Sequence, residues 1–440
     1  MRNSLLRWCV QAAGASALVA CAGGPVLPES AGYGPNPTLP EPRPQAIPLV
    51  NVAPAQGWAQ GETPVPAAGL AVNAFASGLD HPRWVYVLPN GDVLVAESNA
   101  PANRPEENRG LRAFFMGLAM RAAGAAVPSA DRITLLRDAD GDGVAETREI
   151  FLQNLHSPFG VALVGSDLYV ANTDAIVLFP YRTGQTRITA SPMRVVALPA
   201  GPRNHHWTKN VIASPDGARL YATVGSNSNV AEHGMDEEVG RAAIWEIDRA
   251  TGAHRIFASG LRNPNGMDWE PTTGVLWTVV NERDELGNDL VPDYLTSVRD
   301  GAFYGWPYYY YGRHRDERVP IPANVRLQAA TVPDYALGSH TAALGLTFYR
   351  GEALGARYRG GAFIGLHGSW NRAEPSGYKV IFVPFANGRP SGPPQDILTG
   401  FLDERENANG RPVGVAVDGR GNLLVADDVG NVIWRVSAAP

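Results

Sequence analysis

The sequence predicts an all-β fold, a six-bladed β-propeller with a helical insertion in the first blade. Six short apolar runs of one design recur along the 440-residue chain, at 92–97, 167–172, 219–224, 275–280, 362–367 and 422–427. Their spacing of roughly 50 to 90 residues suits a four-stranded blade with its loops. The 48 Gly and 36 Pro residues also favour a turn-rich β architecture over a helical one.

Turn punctuation and strand-like runs divide the chain into blades. We expect the propeller domain at 67–440, with blades at 84–155, 160–198, 211–259, 266–308, 344–398 and from 413 onward. Only three strands of the sixth blade remain before the chain ends. The apolar run at 70–76 is expected to supply the fourth strand, which would close the ring and leave no open sheet edge.

One segment of blade one departs from the β pattern. Between 106 and 126 apolar residues recur at helical spacing, namely Leu111, Phe114, Phe115, Leu118, Ala119 and Ala122. The segment is expected to form a helix that covers the blade's edge, and a lid or a partner-docking element is the alternative.

The N-terminus is expected to be a targeting segment. Arg2 and Arg7 precede a modest apolar stretch that ends at Cys21. The tetrapeptide before and including Cys21 resembles a bacterial lipobox, so 1–21 is interpreted as a lipoprotein signal peptide with Cys21 as the lipid-anchored residue, and the domain is expected on the periplasmic side of the cell envelope. An ordinary secretory signal with a chance cysteine is the alternative. Residues 22–66, rich in Pro and Gly, are interpreted as an extended tether.

Bulk composition excludes some partners. The formal net charge of −6 gives no support for binding to nucleic acid or to an anionic membrane, so contact with a membrane is expected only through the lipid anchor. The sequence also has no Gly-x-Ser-x-Gly elbow, no Walker loop and no dinucleotide fingerprint after a strand.

Polar residues precede the first, inner strand of every predicted blade. In a propeller the loops before the inner strands open at one end of the central channel. The side chains expected to meet there are His81, Arg83, His156, His206, Arg262, Asn263, His340 and Arg411. They predict a cationic pocket suited to carboxylates, since arginine forks bind such groups. Pairing of these arginines with acidic residues of neighbouring blades is the alternative.

The adjacent pair His205 and His206 offers a base rather than a metal site. Neighbouring side chains on an extended strand point in opposite directions, so one ring at most is expected to face the channel. The sequence has no HExxH motif or other ligand spacing for zinc. A channel-facing imidazole suits general-base work because its unperturbed pKa lies near neutrality.

The stretch 138–149 matches the calcium loop of an EF-hand without the flanking helices. Carboxylates stand at loop positions 1, 3, 5, 9 and 12, which are Asp138, Asp140, Asp142, Glu146 and Glu149. Because strands are predicted on both sides, the loop should be a hairpin tip that holds structural calcium. A turn that uses Asp and Gly for their backbone preferences is the alternative.

Several short motifs follow one another along the chain: HHWTKN at 205–210, GLRNP at 260–264, NERDE at 281–285, YGWP at 304–307, HGSWNR at 367–372 and GRPVG at 410–414. Taken together and in this order, they resemble the glucose/sorbosone dehydrogenase family of pyrroloquinoline-quinone (PQQ) enzymes, most closely its sorbosone branch. The similarity spans roughly 70–436.

The resemblance implies roles for individual residues. His206 matches the general base, and Arg262 matches the arginine that stabilises negative charge on the quinone. The residues that match cofactor contacts are His156, Asn263, Arg372 and Arg411. Main-chain carbonyls near Asn281 and Glu282 match calcium ligands, although this sequence departs there from the Gly-Pro of the glucose enzymes.

The resulting hypothesis is a PQQ- and calcium-dependent dehydrogenase for an aldose or sugar aldehyde, with a small-molecule sugar as substrate and a periplasmic electron acceptor as partner. Two alternatives are a calcium-dependent lactonase-type hydrolase and a non-catalytic binding propeller. A lactonase would need carboxylate ligands deep in the channel, and the polar set predicted above lacks them.

Overall fold

The six-bladed β-propeller is confirmed. A computed structural model describes residues 26–44, 49–102, 117–323 and 326–440. Six antiparallel sheets of four or five strands follow one another along the chain. The first strands of successive blades lie side by side around the channel, most extensively from blade four through blades five and six to blade one.

Each blade runs from its inner to its outer strand in chain order. The strands are Pro82–Val87, Val93–Glu97, Arg132–Arg137 and Thr147–Leu152 in blade one; Val161–Val164, Asp167–Ala171, Ala175–Pro180 and Met193–Ala197 in blade two; Val211–Ala213, Arg219–Val224, Ala243–Asp248 and His254–Ser259 in blade three; Asn263–Trp269, Leu276–Asn281, Pro292–Ser297 and Tyr335–Ser339 in blade four; Ala343–Phe348, Ala362–Leu366, Lys379–Val383 and Gln395–Thr399 in blade five; and Pro412–Val417, Leu423–Asp427 and Val432–Ala438 in blade six. Outside these strands lie two short hairpins, Tyr309–Tyr310 with His314–Arg315 and Phe385–Ala386 with Arg389–Pro390, and the 3-10 turns Glu29–Gly32, Met235–Glu238 and Ala356–Tyr358.

The ring closes as the sequence predicted. Leu70–Ser77 forms the outer strand of blade six by pairing antiparallel with Val432–Ala438. The chain's N-terminal and C-terminal parts therefore share one sheet, and this pairing satisfies the backbone groups that an open edge would expose.

The hydrophobic core lies between neighbouring sheets rather than in the channel. Between blades one and two, Phe151, Phe159 and Leu168 are fully buried, and between blades four and five Trp277 and Phe348 pack in the same way. The second strand of each blade is therefore covered on both faces, whereas the outer strands of blades one to three are partly exposed.

The described part of the helical insertion is small. Within the predicted segment 106–126, residues 117–122 form a short helix between the second and third strands of blade one and 123–126 form a turn, while 106–116 lie outside the described residues. Across the ranges described, helices are too short or too polar to cross a bilayer.

The N-terminal stretch differs from the free tether expected for 22–66. Tyr33–Gly34 adds a fifth strand to blade four, and Val65–Pro66 adds a fifth strand to blade five. Proline-rich chain is compatible with sheet edges, where a missing N–H faces away from the ladder. Residues 1–25, with Cys21 and the predicted signal peptide, lie outside the described residues, as do 45–48.

Strand direction assigns each loop to one end of the propeller. Because the strands of a blade alternate in direction, the loops before the first strand and those between the second and third strands lie at the same end, which we call the site end. The loops between the third and fourth strands begin at the opposite end.

Candidate active site

His206 lies at the site end, and only one of its two ring nitrogens is hydrogen-bonded to a described residue. Its Nδ1 lies 2.7 Å from the main-chain oxygen of Ser226, so the ring donates from Nδ1 and Nε2 carries the lone pair. Within the described ranges Nε2 has no hydrogen-bond partner. Burial, together with the nearby Arg262 and His205, lowers the pKa of His206 well below its usual value. The ring is therefore neutral and ready to accept a proton at Nε2.

The backbone of this segment is bent, which changes the expected relation between the two histidines. His205 and His206 lie at a chain bend, and their rings meet edge to face with centroids 4.6 Å apart. The prediction that they point to opposite sides of a strand is wrong. Beneath them the fully buried Lys209 donates from Nζ to the carbonyl of His206 at 2.9 Å.

Arg262 is buried beside His206 and is held from several directions. Its guanidinium donates to the carbonyl of Glu282 at 2.7 Å, to Oδ1 of Asn229 at 3.0 Å and to Oδ2 of Asp284 at 3.2 Å. These contacts fix the plane of the guanidinium. The partial pairing with Asp284 makes this part of the site less cationic than predicted.

Asn263 and His206 approach each other across Gly225. A Cβ on Gly225 would lie 2.4 Å from Oδ1 of Asn263 and 2.5 Å from the Cβ of His206. Oδ1 of Asn263 is buried without a hydrogen-bond partner among the described residues. A buried acceptor without a donor is costly, so this atom is suited to a ligand N–H or O–H.

Asp284 links Arg262 to a second buried histidine. Nδ1 of His340 lies 3.2 Å from Oδ1 of Asp284, and Nε2 of His340 lies 3.0 Å from the carbonyl of Gly287. Although burial opposes it, the hydrogen bond with His340 and the charge of Arg262 keep the pKa of Asp284 below its usual value. Both nitrogens of His340 are engaged, so this ring supports the site rather than offering a second base.

A second polar cluster, the Asp428 cluster, lies where blades five, six and one meet. Asp428 accepts from Arg83 and from Nε2 of His367 at 2.8 Å, and His81 lies 3.6 Å away. Burial opposes ionisation, but His367, His81 and Arg83 hold the pKa of Asp428 well below its usual value. Burial lowers the pKa of His81 to about 4. Two predicted pocket residues, His81 and Arg83, are thus committed to a carboxylate of the neighbouring blade.

The two clusters adjoin at the site end. The guanidinium of Arg83 lies 5.8 Å from the ring centroid of Trp207, the residue that follows His206. Arg411 is buried next to the Asp428 cluster, where it stacks 5.0 Å from the ring centroid of Tyr378 and donates to the carbonyl of Ala53 at 3.0 Å. Its side chain forms no ion pair with any described residue, and its Nε is buried without a partner.

Two residues predicted to contact a cofactor are occupied elsewhere. Arg372 donates to the carbonyls of Asn288 and Glu374 and pairs with Asp289 at 3.1 Å, so its donors serve the loops of blades four and five. His156 is about half exposed and pairs with Asp174 at 3.1 Å. The structure therefore assigns Arg372 to scaffolding and places His156 at the rim.

The predicted calcium ligands near Asn281 and Glu282 do not fit a cation site. The carbonyl of Glu282 accepts from Arg262, and its carboxylate pairs with Arg283 at 3.0 Å. The side chain of Asn281 donates to the carbonyl of Ala343 at 2.6 Å. A cation placed there would face the guanidinium of Arg262, so these residues do not form a calcium site.

The acidic loop of blade one does gather oxygen ligands, with one change of residue. Carboxylate oxygens of Asp138, Asp140, Asp142 and Glu146 lie within 4.8 Å of one another. The prediction of Glu149 as a ligand is wrong, because this residue lies in the strand Thr147–Leu152 opposite Leu135. The loop joins the third and fourth strands, so it lies at the end of the propeller away from His206.

Sequence reasoning missed the acceptors that fix the predicted cations. All of them follow the second strand of a blade: Ser226 and Asn229 in blade three, Asp284 in blade four and Asp428 in blade six. The signal was present, since the apolar runs end in polar residues such as Glu97 and Asp427, and the loops after them share the site end with the loops before each first strand.

Comparisons with known proteins agree with this architecture. A family model described as glucose/sorbosone dehydrogenase matches residues 170–369, which carry His206 and Arg262, and a model described as TrAA12-like matches 324–439. The predicted resemblance to the glucose/sorbosone dehydrogenases is confirmed. The sorbosone branch in particular stays a prediction.

Individual relatives of this chain are distant. A pyrroloquinoline quinone-dependent pyranose dehydrogenase of Coprinopsis cinerea is 23% identical over 433 residues, which cover 84% of this chain and 54% of that protein, so the chain spans about half of its length. The calcium structure of the Trichoderma reesei carbohydrate-active enzyme of family AA12 has a TM-score of 0.68 at 20% identity and covers 89% of this chain and 99% of that one. The holo form of the Coprinopsis cinerea pyranose dehydrogenase PQQ domain has a TM-score of 0.66 at 21% identity, with coverages of 88% and 100%. At these identities the solved structures establish the shared fold.

Proposed function

We propose that this chain is a PQQ-dependent dehydrogenase that oxidises an aldose or a sugar aldehyde. The observation that carries the proposal is the open Nε2 of His206 beside the fixed guanidinium of Arg262, inside the region matched by the glucose/sorbosone dehydrogenase model. The names of the Coprinopsis cinerea relatives, which include PQQ, support the cofactor.

The polar atoms at the site end fit a planar, carboxylate-bearing cofactor. Nε of Arg411 is a buried donor and Oδ1 of Asn263 is a buried acceptor. Neither atom has a hydrogen-bond partner among the residues described. Arg411 and Asn263 would therefore hold PQQ, with Arg411 facing a carboxylate. Arg372 donates to main-chain carbonyls and to Asp289, and the half-exposed His156 pairs with Asp174 at the rim, so neither is proposed as a cofactor contact.

The residues of the chain supply a base and a fixed positive charge. When bound, PQQ would accept the hydride, which is the cofactor's own chemistry. His206 would take at Nε2 the proton of the hydroxyl on the carbon that loses the hydride, which is the anomeric hydroxyl of an aldose or a hydroxyl of a hydrated aldehyde. The hydrogen bond from its Nδ1 to Ser226 holds the ring in the required tautomer. Arg262 would stabilise the negative charge that develops, and Asp284 and Asn229 keep its guanidinium oriented without reorganisation during the reaction.

Calcium is proposed at the loop 138–146 in a structural role. Four carboxylates with oxygens close together suit a hard cation that takes six to eight oxygen ligands. The side chain of Arg420 pairs with Asp138 at 3.4 Å and also contacts the loop backbone, so a bound cation would compete with this arginine.

The ion pairs at the site end argue against the lactonase alternative, because they occupy the carboxylates that a metal would need. Buried carboxylates, Asp284 and Asp428 among them, do lie at the site end, but each is paired with arginine and histidine. Within the described ranges, the loop 138–146 holds the one cluster of three or more ligating side chains, at the far end of the propeller. A non-catalytic binding propeller remains the second candidate, and cofactor uptake separates it from a dehydrogenase.

The setting proposed for this enzyme is the periplasmic side of the cell envelope, with a lipid anchor at Cys21 and an electron acceptor there. The sequence motif at 18–21 supports this proposal. We expect Cys21→Ser to move the protein from the membrane fraction to the soluble fraction. A wild-type protein that is fully soluble with an unmodified Cys21 would contradict it.

A reconstitution screen tests the catalytic proposal. Purified protein is incubated with PQQ, with and without calcium, and reduction of an artificial electron-acceptor dye is followed over a panel of aldoses, sugar aldehydes and lactones. We expect sugar-dependent dye reduction that requires PQQ. Lactone hydrolysis without PQQ would favour the hydrolase instead.

A further inference from the structure

The segment 49–58, which we call the arm, crosses the site end between the two added edge strands, Tyr33–Gly34 and Val65–Pro66. Main-chain hydrogen bonds tie it to three blades: Asn51 donates to the carbonyl of Trp370 at 2.8 Å, Ala408 donates to the carbonyl of Pro54 at 2.7 Å, and Ala55 donates to the carbonyl of Ala122 at 2.7 Å. Blade five, blade six and the helical insertion of blade one are thereby connected by one stretch of chain.

The arm touches Arg411 directly. The carbonyl of Ala53 accepts from Nη2 of Arg411 at 3.0 Å, while the ring of Tyr378 supports the guanidinium. Ala53 is 2% exposed and Arg411 is 5% exposed, so this contact is closed to solvent. The carbonyl of Leu49 similarly accepts from Asn371 at 2.6 Å.

The arm also reaches the backbone of Arg411 through a shared carboxylate. Buried Asp427 accepts the main-chain N–H of Arg411 at 2.8 Å and the indole Nε1–H of Trp58, at the end of the arm, at 2.7 Å. The ring of Trp58 packs edge-on against Phe401 and Trp434, with centroids 5.5 and 5.4 Å apart. The arm therefore contacts the side chain of Arg411 directly, and it shares with Trp434 and Gly430 the carboxylate that fixes the backbone of Arg411.

We propose that the arm is part of the cofactor site, because it positions Arg411 to receive a carboxylate of the bound cofactor. The naming of the cofactor rests on the proposed function, whereas the positioning of Arg411 rests on the contacts above. The ring of the propeller is closed by Leu70–Ser77, which comes after the arm, so the arm is not needed to seal the fold. Its docking instead pre-orients a buried arginine, and pre-orientation strengthens binding by reducing what must be ordered when the ligand binds.

The test uses two substitutions at Trp58 in the full chain. Trp58→Ala removes the packed ring that anchors the arm, and Trp58→Phe keeps the ring but loses the donor to Asp427. The matched control is Trp269→Phe, which removes an indole donor to the carbonyl of Ala213 on blades three and four, away from the site end. Hydrogen exchange of the cofactor-free proteins reports whether 49–58 and the peptide around Arg411 are released while the blade strands stay protected, and titration gives the PQQ affinity.

We expect Trp58→Ala to raise exchange in the arm and in the peptide around Arg411, and to weaken PQQ binding about tenfold, the lower end of the loss of one charge-assisted contact. Trp58→Phe should show a smaller loss, and Trp269→Phe none. Released arm with unchanged exchange around Arg411 would overturn the proposal, as would unchanged PQQ affinity. If wild-type protein takes up no PQQ, the proposed function fails, and the exchange result alone decides whether the arm positions Arg411.

Discussion

Replacement of His206 by alanine is the perturbation that bears most directly on the chemistry. General-base assistance contributes about 10² to 10⁴ in rate. Because burial and the neighbouring Arg262 lower the pKa of His206, the ring is a weaker base than a free imidazole. We therefore expect the lower part of that range, a loss in kcat of about 10² to 10³, which corresponds to about 3 to 4 kcal/mol in the barrier.

The assay is steady-state dye reduction at saturating PQQ and sugar, with PQQ binding measured separately on the same variant. PQQ affinity should change little, because the ring contributes its Nε2 to the substrate rather than a charge to the cofactor. His205→Ala is the control: this exposed neighbour contacts the ring edge, so its loss should reduce kcat by less than about tenfold. Turnover of His206→Ala within a few-fold of wild type, with PQQ bound, would refute the assignment of the base.

The pH profile gives the same residue a second test. A base works in its neutral form, and a lowered pKa means that the ring stays neutral as the pH falls through the usual histidine range around 6.5. The acid limb of kcat should therefore lie below that range. An acid limb at the ordinary histidine pKa or above it would contradict the environment described for His206.

Three other predictions address the remaining parts of the account. Arg411→Ala should weaken PQQ binding by about one to two orders of magnitude, as expected for the loss of a charge-assisted contact. Arg372→Ala should lower thermal stability more than it lowers PQQ affinity. Equal losses of PQQ affinity in the two variants would contradict the different roles assigned to these arginines. Gly225→Ala should lower kcat by about tenfold or more, which corresponds to about 1.4 kcal/mol in the barrier, because its Cβ would push His206 and Asn263 apart. Gly419→Ala, whose Cβ meets open space, should behave as wild type. Calcium should raise the Tm by a few degrees and Asp140→Asn should abolish this shift with kcat unchanged; a loss of kcat on calcium removal would show that the cation serves the active site instead.

The sequence was informative about the fold because a propeller repeats its pattern. The six apolar runs and their spacing located every blade, and the run at 70–76 was recognised as the closing strand because blade six lacked one. The strand pairing of the N-terminal stretch could not be predicted, because this stretch has no repeated pattern. Its Pro- and Gly-rich composition carries no periodicity, yet Tyr33–Gly34 and Val65–Pro66 find sheet edges that exist only in the folded protein.

The sequence predicted which cationic side chains lie at the site end, but it did not predict which acidic side chains pair with them. Blade phase placed His206, Arg262 and Arg411 at one end of the channel, but whether a cation is free depends on loops far away in sequence. Asp284 pairs with Arg262, whereas Arg411 stacks on Tyr378 and keeps an unpartnered Nε. Periodicity specifies which end of a blade a residue occupies, while ion pairing depends on side-chain directions that emerge only from packing.

The most direct test of the central claim is a titration of the cofactor-free protein with PQQ, followed by addition of sugar in the absence of any other acceptor. The account predicts one PQQ bound per chain, weaker binding in Arg411→Ala, and a change of the cofactor's absorbance to that of its reduced form when sugar is added, slowed by about 10² or more in His206→Ala. Failure to bind PQQ, or bound PQQ that no sugar reduces, would contradict the claim that this channel end is a quinoprotein active site.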